Sequence, residues 1–195
     1  MLSQFVSDPR QTHIDVAIRV LRYLKATPGQ GIFLPSSGNL ELNAFCDSNW
    51  LGCQFNRRSR TDYLIHVGDA PISWRTKKQS VVSRSSAEAE YRAMATTVSE
   101  ILWLRWLLQD LDVVQNGPTP LHCDNQAAHH IGNNPVFHER TKHVEMDCYF
   151  VRERVKRKEI VMVEIDTRDQ IADIFTKALG TDRLRFLVAK LGVMA

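Results

Sequence analysis

Long hydrophobic runs are missing from this 195-residue sequence. No stretch approaches the roughly 18 apolar residues that a membrane-spanning helix needs. The N-terminal residues MLSQFVSDPR lack the charged and then apolar pattern of a secretion signal. The 4 cysteines show neither C-x-x-C spacing nor the density of a disulfide scaffold. We therefore expect an intracellular protein with reduced cysteines and no membrane association.

An excess of one charge is also missing, because 25 Lys and Arg residues against 22 Asp and Glu residues leave a net charge of +3. A balance this even permits nucleic-acid binding but does not demand it. With 44% hydrophobic residues the chain has the apolar content to bury a core, so disorder is excluded as its main state. Length and composition together predict one domain of ordinary size with an appendage.

Two turn-rich breaks divide the chain, one at 28–38 and one at 114–120. The first break follows an amphipathic helix pattern that stops before Pro28. The apolar positions of this pattern are Ile14, Ala17, Ile18, Leu21 and Leu24. We therefore predict a helical segment over residues 1–38 and a main domain over residues 39–195.

The main domain opens with the period of two that is typical of strands and then alternates helices with strands. Strands are predicted at 40–47, 63–67, 71–74, 120–124 and 160–165, with 79–83 continuing the third. Helices are predicted at 85–108, 126–132, 144–155 and 170–191, the last interrupted near Gly180. Consecutive strands without intervening helices imply an antiparallel meander. The predicted fold class is α/β: a mixed five-stranded sheet, three antiparallel strands and then parallel ones, with helices on both faces.

Four acids lie where such a sheet would bring side chains together. Asp47 ends the first strand and Asp124 ends the fourth, so both carboxylates would emerge at one edge if these strands are neighbours. Glu90 lies in the first turns of the long helix, and Asp173 lies near the start of the last one. Clustered carboxylates repel one another unless a cation intervenes, and Mg²⁺ prefers such oxygen ligands. On spacing alone, a turn residue that bonds its own backbone is the commoner explanation for each aspartate.

Two glutamates share the start of the long helix, and helix geometry separates their roles. Ser85-Ser86-Ala87-Glu88 is a capping box, which gives Glu88 a role at the helix terminus. Glu90 has no such role and lies about 200° further round the helix. We therefore assign Glu88 to the cap and Glu90 to the candidate site.

Basic residues flank the meander at Arg75, Lys77 and Lys78. Such residues near an acidic site suit contacts with phosphates, although charges at turns are often only solvated surface. The histidines do not form a zinc motif. His138 and His143 are one residue too far apart for H-E-x-x-H and would lie about 140° apart on a helix.

Five segments in order carry a resemblance to a known family: FCDSNWLGC, SRSSAEAEYRA, LHCDNQAA, RTKHVEMDCYFVRERV and QIADIFTKAL. From about Ala44 to Leu191 the sequence resembles the ribonuclease H domain of copia-type retrotransposon Pol polyproteins, particularly plant ones. Residues 3–33 are similar to the segment that closes the preceding reverse transcriptase. The resemblance implies a ribonuclease H-like fold, with residues 1–38 as the reverse transcriptase tail and residues 39–195 as the ribonuclease H domain.

The resemblance also implies an activity, the cleavage of the RNA strand of an RNA–DNA hybrid with two Mg²⁺ ions, which Mn²⁺ could replace. The products would carry 5′-phosphate and 3′-hydroxyl ends. By position, the family's four metal-binding acids match Asp47, Glu90, Asp124 and Asp173. The choice of Asp173 over Asp166 and Asp169 depends mainly on the resemblance.

Substrate contacts follow from the same resemblance. Ser86 and Asn125 are candidate readers of the RNA 2′-hydroxyl group. Arg75, Lys77 and Lys78 are candidates for contacts with the hybrid backbone. The implied partners are the RNA–DNA hybrid and the reverse transcriptase domain of the same polyprotein, in a cytoplasmic particle or in the nucleus.

The sequence departs from the family pattern at two places. Asn49 stands where many relatives have a second acid, and the loop 167–170 contains no histidine, so no residue that handles protons can be assigned. His143 fits the retrotransposon pattern, but a structural role at a helix start explains it at least as well. One alternative stays open, an inactive or domesticated hybrid-binding module. A transposase or integrase relative is disfavoured, because those proteins typically use three acids without the AEAEY motif.

Overall fold

The computed structural model describes residues 2–126 and 144–194. Its strands are β1 (Gly31–Ile32), β2 (Leu42–Asn49), β3 (Arg60–Val67), β4 (Ala70–Lys78), β5 (Thr119–Cys123), β6 (Ile160–Glu164) and β7 (Val193–Met194). Its α-helices are α1 (Gln11–Ala26), α2 (Ser86–Asp110), α3 (Glu145–Lys156) and α4 (Thr181–Lys190). Short 3-10 helices lie at Leu2–Phe5, Thr167–Asp169 and Ile171–Phe175. The described residues fall into two units, a small one of 2–33 with 193–194 and a large one between 34 and 192.

The small unit contains α1, the first 3-10 helix and the antiparallel pair of β1 and β7. The helix α1 confirms the amphipathic helix that was predicted before Pro28. The pair of β1 and β7 was not predicted, because two-residue strands carry no readable periodicity. Among the described residues, no helix is both long and apolar enough to cross a membrane.

The large unit is built on a five-stranded sheet in the order β4-β3-β2-β5-β6. The strands β2, β3 and β4 pair antiparallel, and β3 turns into β4 through Gly68 and Asp69. On the other side of β2 lies β5, which runs parallel to it, and β6 is parallel to β5. This arrangement confirms the predicted fold class, with three antiparallel strands followed by parallel ones.

Each face of the sheet has its own apolar core, because side chains alternate between the faces along a strand. On one face α2 and α3 pack over a cluster that includes Leu42, Tyr91 and Val151. On the other face the 3-10 helix Ile171–Phe175 packs against β2 and β3, where it meets Phe45. Helical segments therefore cover both faces, as predicted.

The long helix begins where the capping box places it. The Ser85 hydroxyl accepts a hydrogen bond from the Glu88 N–H at 3.1 Å. The Glu88 carboxylate accepts one from the Arg84 N–H at 2.8 Å and pairs with Arg92 at 3.0 Å. Glu88 is therefore occupied at the helix terminus, as predicted, although its carboxylate reaches the residue before Ser85.

Two predicted elements are wrong in detail. Residues 79–83 do not continue a strand: β4 ends at Lys78, and the buried Gln79 side chain then donates to the Ala89 carbonyl and to the Thr61 hydroxyl. The terminal helix predicted at 170–191 is the 3-10 helix Ile171–Phe175 followed by a separate α4, which begins after Gly180. The helix predicted at 126–132 lies almost wholly outside the described residues.

Candidate active site

Three aspartates from three different elements converge in the large unit. Asp47 lies in β2, Asp124 directly follows β5, and Asp173 lies in the 3-10 helix Ile171–Phe175. One carboxylate oxygen from each aspartate lies within 4.8 Å of the other two. Asp47 and Asp173 are buried, and Asp124 is half-buried. The structure thus brings three of the four predicted acids into one group, which we call the aspartate cluster.

Strand register explains why two of these aspartates meet. The parallel strands β2 and β5 align Phe45 with His122. Two residues further along each strand, Asp47 and Asp124 point to the same face because the side-chain period is two. Contrary to the prediction, Asp47 does not end its strand, since β2 continues to Asn49 in its pairing with β3. Its backbone is therefore fixed within the sheet.

Asp173 is placed by a buried glutamine rather than by an α-helix. The Gln170 amide nitrogen donates to the Cys46 carbonyl at 2.9 Å, and its oxygen accepts from the Ala172 N–H at 3.2 Å. These bonds attach the start of the 3-10 helix to β2, one residue before Asp47. The side chain of Gln170 is fully buried, so the attachment is shielded from water.

Glu90 approaches the same region from α2. Both the backbone N–H and the hydroxyl of Ser48 donate to its Oε1 atom, each at 3.1 Å. The Cys123 thiol donates to its Oε2 atom at 3.9 Å. Because Ser48 follows Asp47 and Cys123 precedes Asp124, the chain neighbours of two cluster members orient Glu90 beside the aspartate cluster.

Burial dominates the electrostatics of these acids. It raises the pKa of Asp47 to about 6, an effect that Lys177 opposes and the charges of Asp173 and Asp124 reinforce. Burial also raises the pKa of Glu90 and that of Asp173. The ionised acids have therefore lost hydration without gaining full compensation from their neighbours.

The donor set fits a hard divalent cation. The aspartate cluster offers carboxylate oxygens, which Mg²⁺ and Mn²⁺ accept readily. The negative charges of Asp124 and Asp173 repel that of Asp47 and help to raise its pKa. A cation bound among the three carboxylates would remove this repulsion. A divalent ion would therefore suit the oxygen ligands that the aspartate cluster offers, and the four-acid metal site stays a prediction.

The predicted substrate residues lie at different places. Arg75, Lys77 and Lys78 line one cavity of about 290 Å³ together with Arg92, and none of the four acids lines it. Ser86 is exposed at the first residue of α2, and Asn125 directly follows Asp124. These two residues do not line that cavity. His143 lies outside the described residues.

Asp62 is a charged residue at the cluster that sequence reasoning missed. It lies opposite Asp47 on β3 and is fully buried, and neither of its oxygens has a hydrogen bond of normal geometry. Burial raises its pKa to about 7, although the nearby hydroxyls of Thr176 and Thr76 oppose the rise. No signal pointed to Asp62, because the predicted strand began only at Tyr63.

Lys177 was missed as well. Its ammonium nitrogen lies 2.6 Å from Asp173 Oδ1 and 3.3 Å from Asp47 Oδ2. The four-residue spacing between Asp173 and Lys177 is a signal that could have found the pair, since residues so spaced lie on one side of a helical turn. The aspartate cluster therefore already includes one cation supplied by the chain.

Comparison with known proteins finds relatives that align with almost the whole chain, although no family model matches it. The retrovirus-related Pol polyprotein from transposon RE1 of Arabidopsis thaliana is 41% identical over 192 residues, which are 98% of this chain. The corresponding polyprotein from transposon TNT 1-94 of Nicotiana tabacum is 31% identical over 193 residues, 99% of this chain. Over nearly its whole length the chain is similar to one segment of copia-type Pol polyproteins.

The chain is a small part of these polyproteins, spanning 13% of the RE1 protein and 14% of the TNT 1-94 protein. Among solved structures, LC11 RNase H1, isolated from compost, is similar over 69% of this chain and 91% of its own length. The identity is 13% and the TM-score is 0.49. The fold class follows from the strand order β4-β3-β2-β5-β6 and from the helices on both faces of the sheet.

Proposed function

We propose that this chain is an endoribonuclease that hydrolyses the RNA strand of RNA–DNA hybrids with two divalent ions and serves the reverse transcription of a retrotransposon. The observation that carries the proposal is the aspartate cluster, whose three oxygens lie within 4.8 Å of one another with Glu90 held beside them. Similarity to a segment of Pol polyproteins supports it, since copying RNA into DNA leaves a hybrid whose RNA strand must be removed.

Asp47, Glu90, Asp124 and Asp173 would hold the ions, with Mg²⁺ as the expected ion and Mn²⁺ as a substitute. Bound ions would supply an activated water and offset the charge that develops on the phosphodiester. The contribution of the chain is to hold its ligands in place before the substrate arrives. Ser48 orients Glu90, and β3 fixes the backbone of Asp47. Ligands fixed in this way need no reorganisation during the reaction.

Substrate binding is proposed for the cavity that Arg75, Lys77 and Lys78 line on the edge strand β4. Phosphate contacts of this kind supply affinity and register but no sequence preference. Ser86 and Asn125 are proposed readers of the 2′-hydroxyl, which distinguishes RNA from DNA. Their places support this role, since Ser86 lies one turn before Glu90 on α2 and Asn125 follows Asp124.

The proposed setting is a longer polyprotein. Residues 1–38 would close the reverse transcriptase, and the reverse transcriptase domain would be the partner that presents the hybrid. The length of the relatives supports this arrangement, because the chain spans only 13% of the RE1 polyprotein. The proposed location is a cytoplasmic particle or the nucleus.

The proposal is tested with an end-labelled RNA in three forms: paired with DNA, paired with RNA, and single-stranded. With Mg²⁺ we expect cleavage only in the hybrid, with 5′-phosphate and 3′-hydroxyl products, and an intact DNA strand. A longer chain that includes the reverse transcriptase segment serves as the second enzyme form. Absence of cleavage in both forms would contradict the proposed function.

Ser48→Ala removes the hydroxyl donor of Glu90 and leaves the backbone donor in place. We expect hybrid cleavage to fall about tenfold, the value of roughly one charge-assisted hydrogen bond. Ser73→Ala is the matched control, because the Ser73 hydroxyl also donates to a glutamate, Glu100, at 2.8 Å. An equal loss of initial rate in both variants would show that the effect is not specific to Glu90.

A further inference from the structure

Lys177 is bonded to the aspartate cluster through both its backbone and its side chain. Its backbone N–H donates to the Asp173 carbonyl at 2.9 Å, so it lies one turn beyond Asp173. Its ammonium nitrogen lies 2.6 Å from Asp173 Oδ1 and 3.3 Å from Asp47 Oδ2. The side chain is 34% exposed, whereas those of Asp47 and Asp173 are 3% and 4% exposed. The ammonium group therefore lies between two buried carboxylates with an open path to solvent.

The basic groups near the cluster are placed unevenly. Arg183 lies 3.6 Å from Asp173 Oδ2, so each oxygen of Asp173 has a cation nearby. Among the described residues, the hydrogen bonds to the other two acids come from neutral donors. Asp124 accepts from the Thr167 hydroxyl at 2.9 Å, and Glu90 accepts from Ser48. Within residues 2–126 and 144–194, the ion pairs of these four acids are thus concentrated at Asp173 and Asp47.

An ammonium group and a divalent ion cannot share these oxygens. Mg²⁺ binds oxygen at about 2.0–2.1 Å, so an ion at Asp47 and Asp173 would lie where Lys177 now makes its ion pairs. Two cations at so short a distance repel each other strongly, and the repulsion is stronger where burial lowers the effective dielectric constant. Lys177 has a flexible stem that can carry its charge into solvent, whereas Arg183 is also bonded to the Thr167 and Arg168 carbonyls.

We propose that Lys177 competes with divalent metal for the Asp47–Asp173 side, so that the two ion positions differ in affinity. This inference rests on the proposed function. The ion at Asp47, Glu90 and Asp124 binds tightly, and the ion at Asp47 and Asp173 binds weakly because Lys177 must first leave. Lys177 thereby sets the metal concentration at which both positions fill.

The test is Mn²⁺ binding to the whole chain by titration calorimetry, without nucleic acid. We expect one tight site and one weaker site in the unmodified chain. In Lys177→Met the weaker affinity rises about tenfold, because the competing charge is gone. Lys177→Arg keeps the charge and should behave like the unmodified chain. Lys190→Met is the control, since it removes the same charge from a pair with the exposed Asp169, at 2.7 Å.

The outcomes separate this inference from the proposed function. Unchanged or weaker Mn²⁺ binding in a folded Lys177→Met, checked by circular dichroism, would overturn the competition. An equal gain in Lys190→Met would overturn it too, because the effect would then be general charge. If Lys177→Met does not fold, equal affinity at the two sites of the unmodified chain overturns the inference. Hybrid cleavage is measured separately, so a chain that binds Mn²⁺ as expected but leaves the hybrid intact contradicts only the proposed function.

Discussion

Asp47→Asn is expected to lower the rate of hybrid cleavage by about 10³-fold, equivalent to about 4 kcal/mol of transition-state stabilisation. Asp47 is the central member of the aspartate cluster, since its pKa responds to both Asp124 and Asp173. The amide has the same shape but no charge, so it is a poor ligand for a hard cation. The measurement is the initial rate on a labelled hybrid in Mg²⁺.

Loss of folding does not explain this expected result. Burial raises the pKa of Asp47 to about 6, so at pH 8 its charge costs stability and a neutral amide removes that cost. The melting temperature of Asp47→Asn should therefore be no lower than that of the unmodified chain. Asp169→Asn is the control, because Asp169 is exposed and lies outside the aspartate cluster. Full activity in Asp47→Asn would refute the site assignment.

Asp62→Asn is expected to stabilise the protein at pH 8 by about 2 kcal/mol, which raises the melting temperature by roughly 6 °C for a chain of this size. Asp62 is fully buried, neither oxygen has a hydrogen bond of normal geometry, and burial raises its pKa from 3.8 to about 7. The upper limit is about 4 kcal/mol. The expected stabilisation is smaller than this limit, because the buried amide of the new asparagine also needs hydrogen-bond partners.

The direction in which stability changes with pH follows from the protons that the folded and unfolded states bind at Asp62. Between pH 4 and 7 the folded state holds the Asp62 proton while the unfolded state releases it, so stability falls as the pH rises through this window. The gain in Asp62→Asn should therefore be largest above pH 7 and shrink towards zero near pH 4. Urea unfolding at both pH values measures it, with the exposed Asp69→Asn as the control. A gain of equal size at both pH values would contradict the explanation.

The sequence predicted those acids whose positions follow from local geometry. Ser85 and Glu88 form a helix start, which left Glu90 on another side of the helix. Asp47 lies in β2 and Asp124 directly follows the adjacent β5, where the period of two brings them to one face. Asp173 depended mainly on the resemblance, because a 3-10 helix attached by Gln170 has no periodic pattern to read.

The remaining residues depend on tertiary contacts. Asp62 directly precedes the strand predicted at 63–67, yet antiparallel pairing places it opposite Asp47 in a buried position. Lys177 looks like an ordinary charge near the end of a helix, yet it meets an acid 130 residues away in the chain. Contacts between residues so far apart in the chain leave no pattern in the local sequence. Secondary-structure propensity does not show which charges the fold will bury together.

The 3-10 helix Ile171–Phe175 has a consequence for how the candidate site opens. Asp47 belongs to a central strand, where we expect amide protons to exchange only when the whole domain unfolds, whereas short helical segments can also open locally. We therefore expect local opening of this segment to displace Asp173 while Asp47 stays in place. An ion bound by Asp47 and Asp173 would have to dissociate when this segment opens. The free energy of opening would therefore increase by the binding free energy of the ion. Amide exchange at Ile171–Phe175 would then report metal occupancy without any substrate.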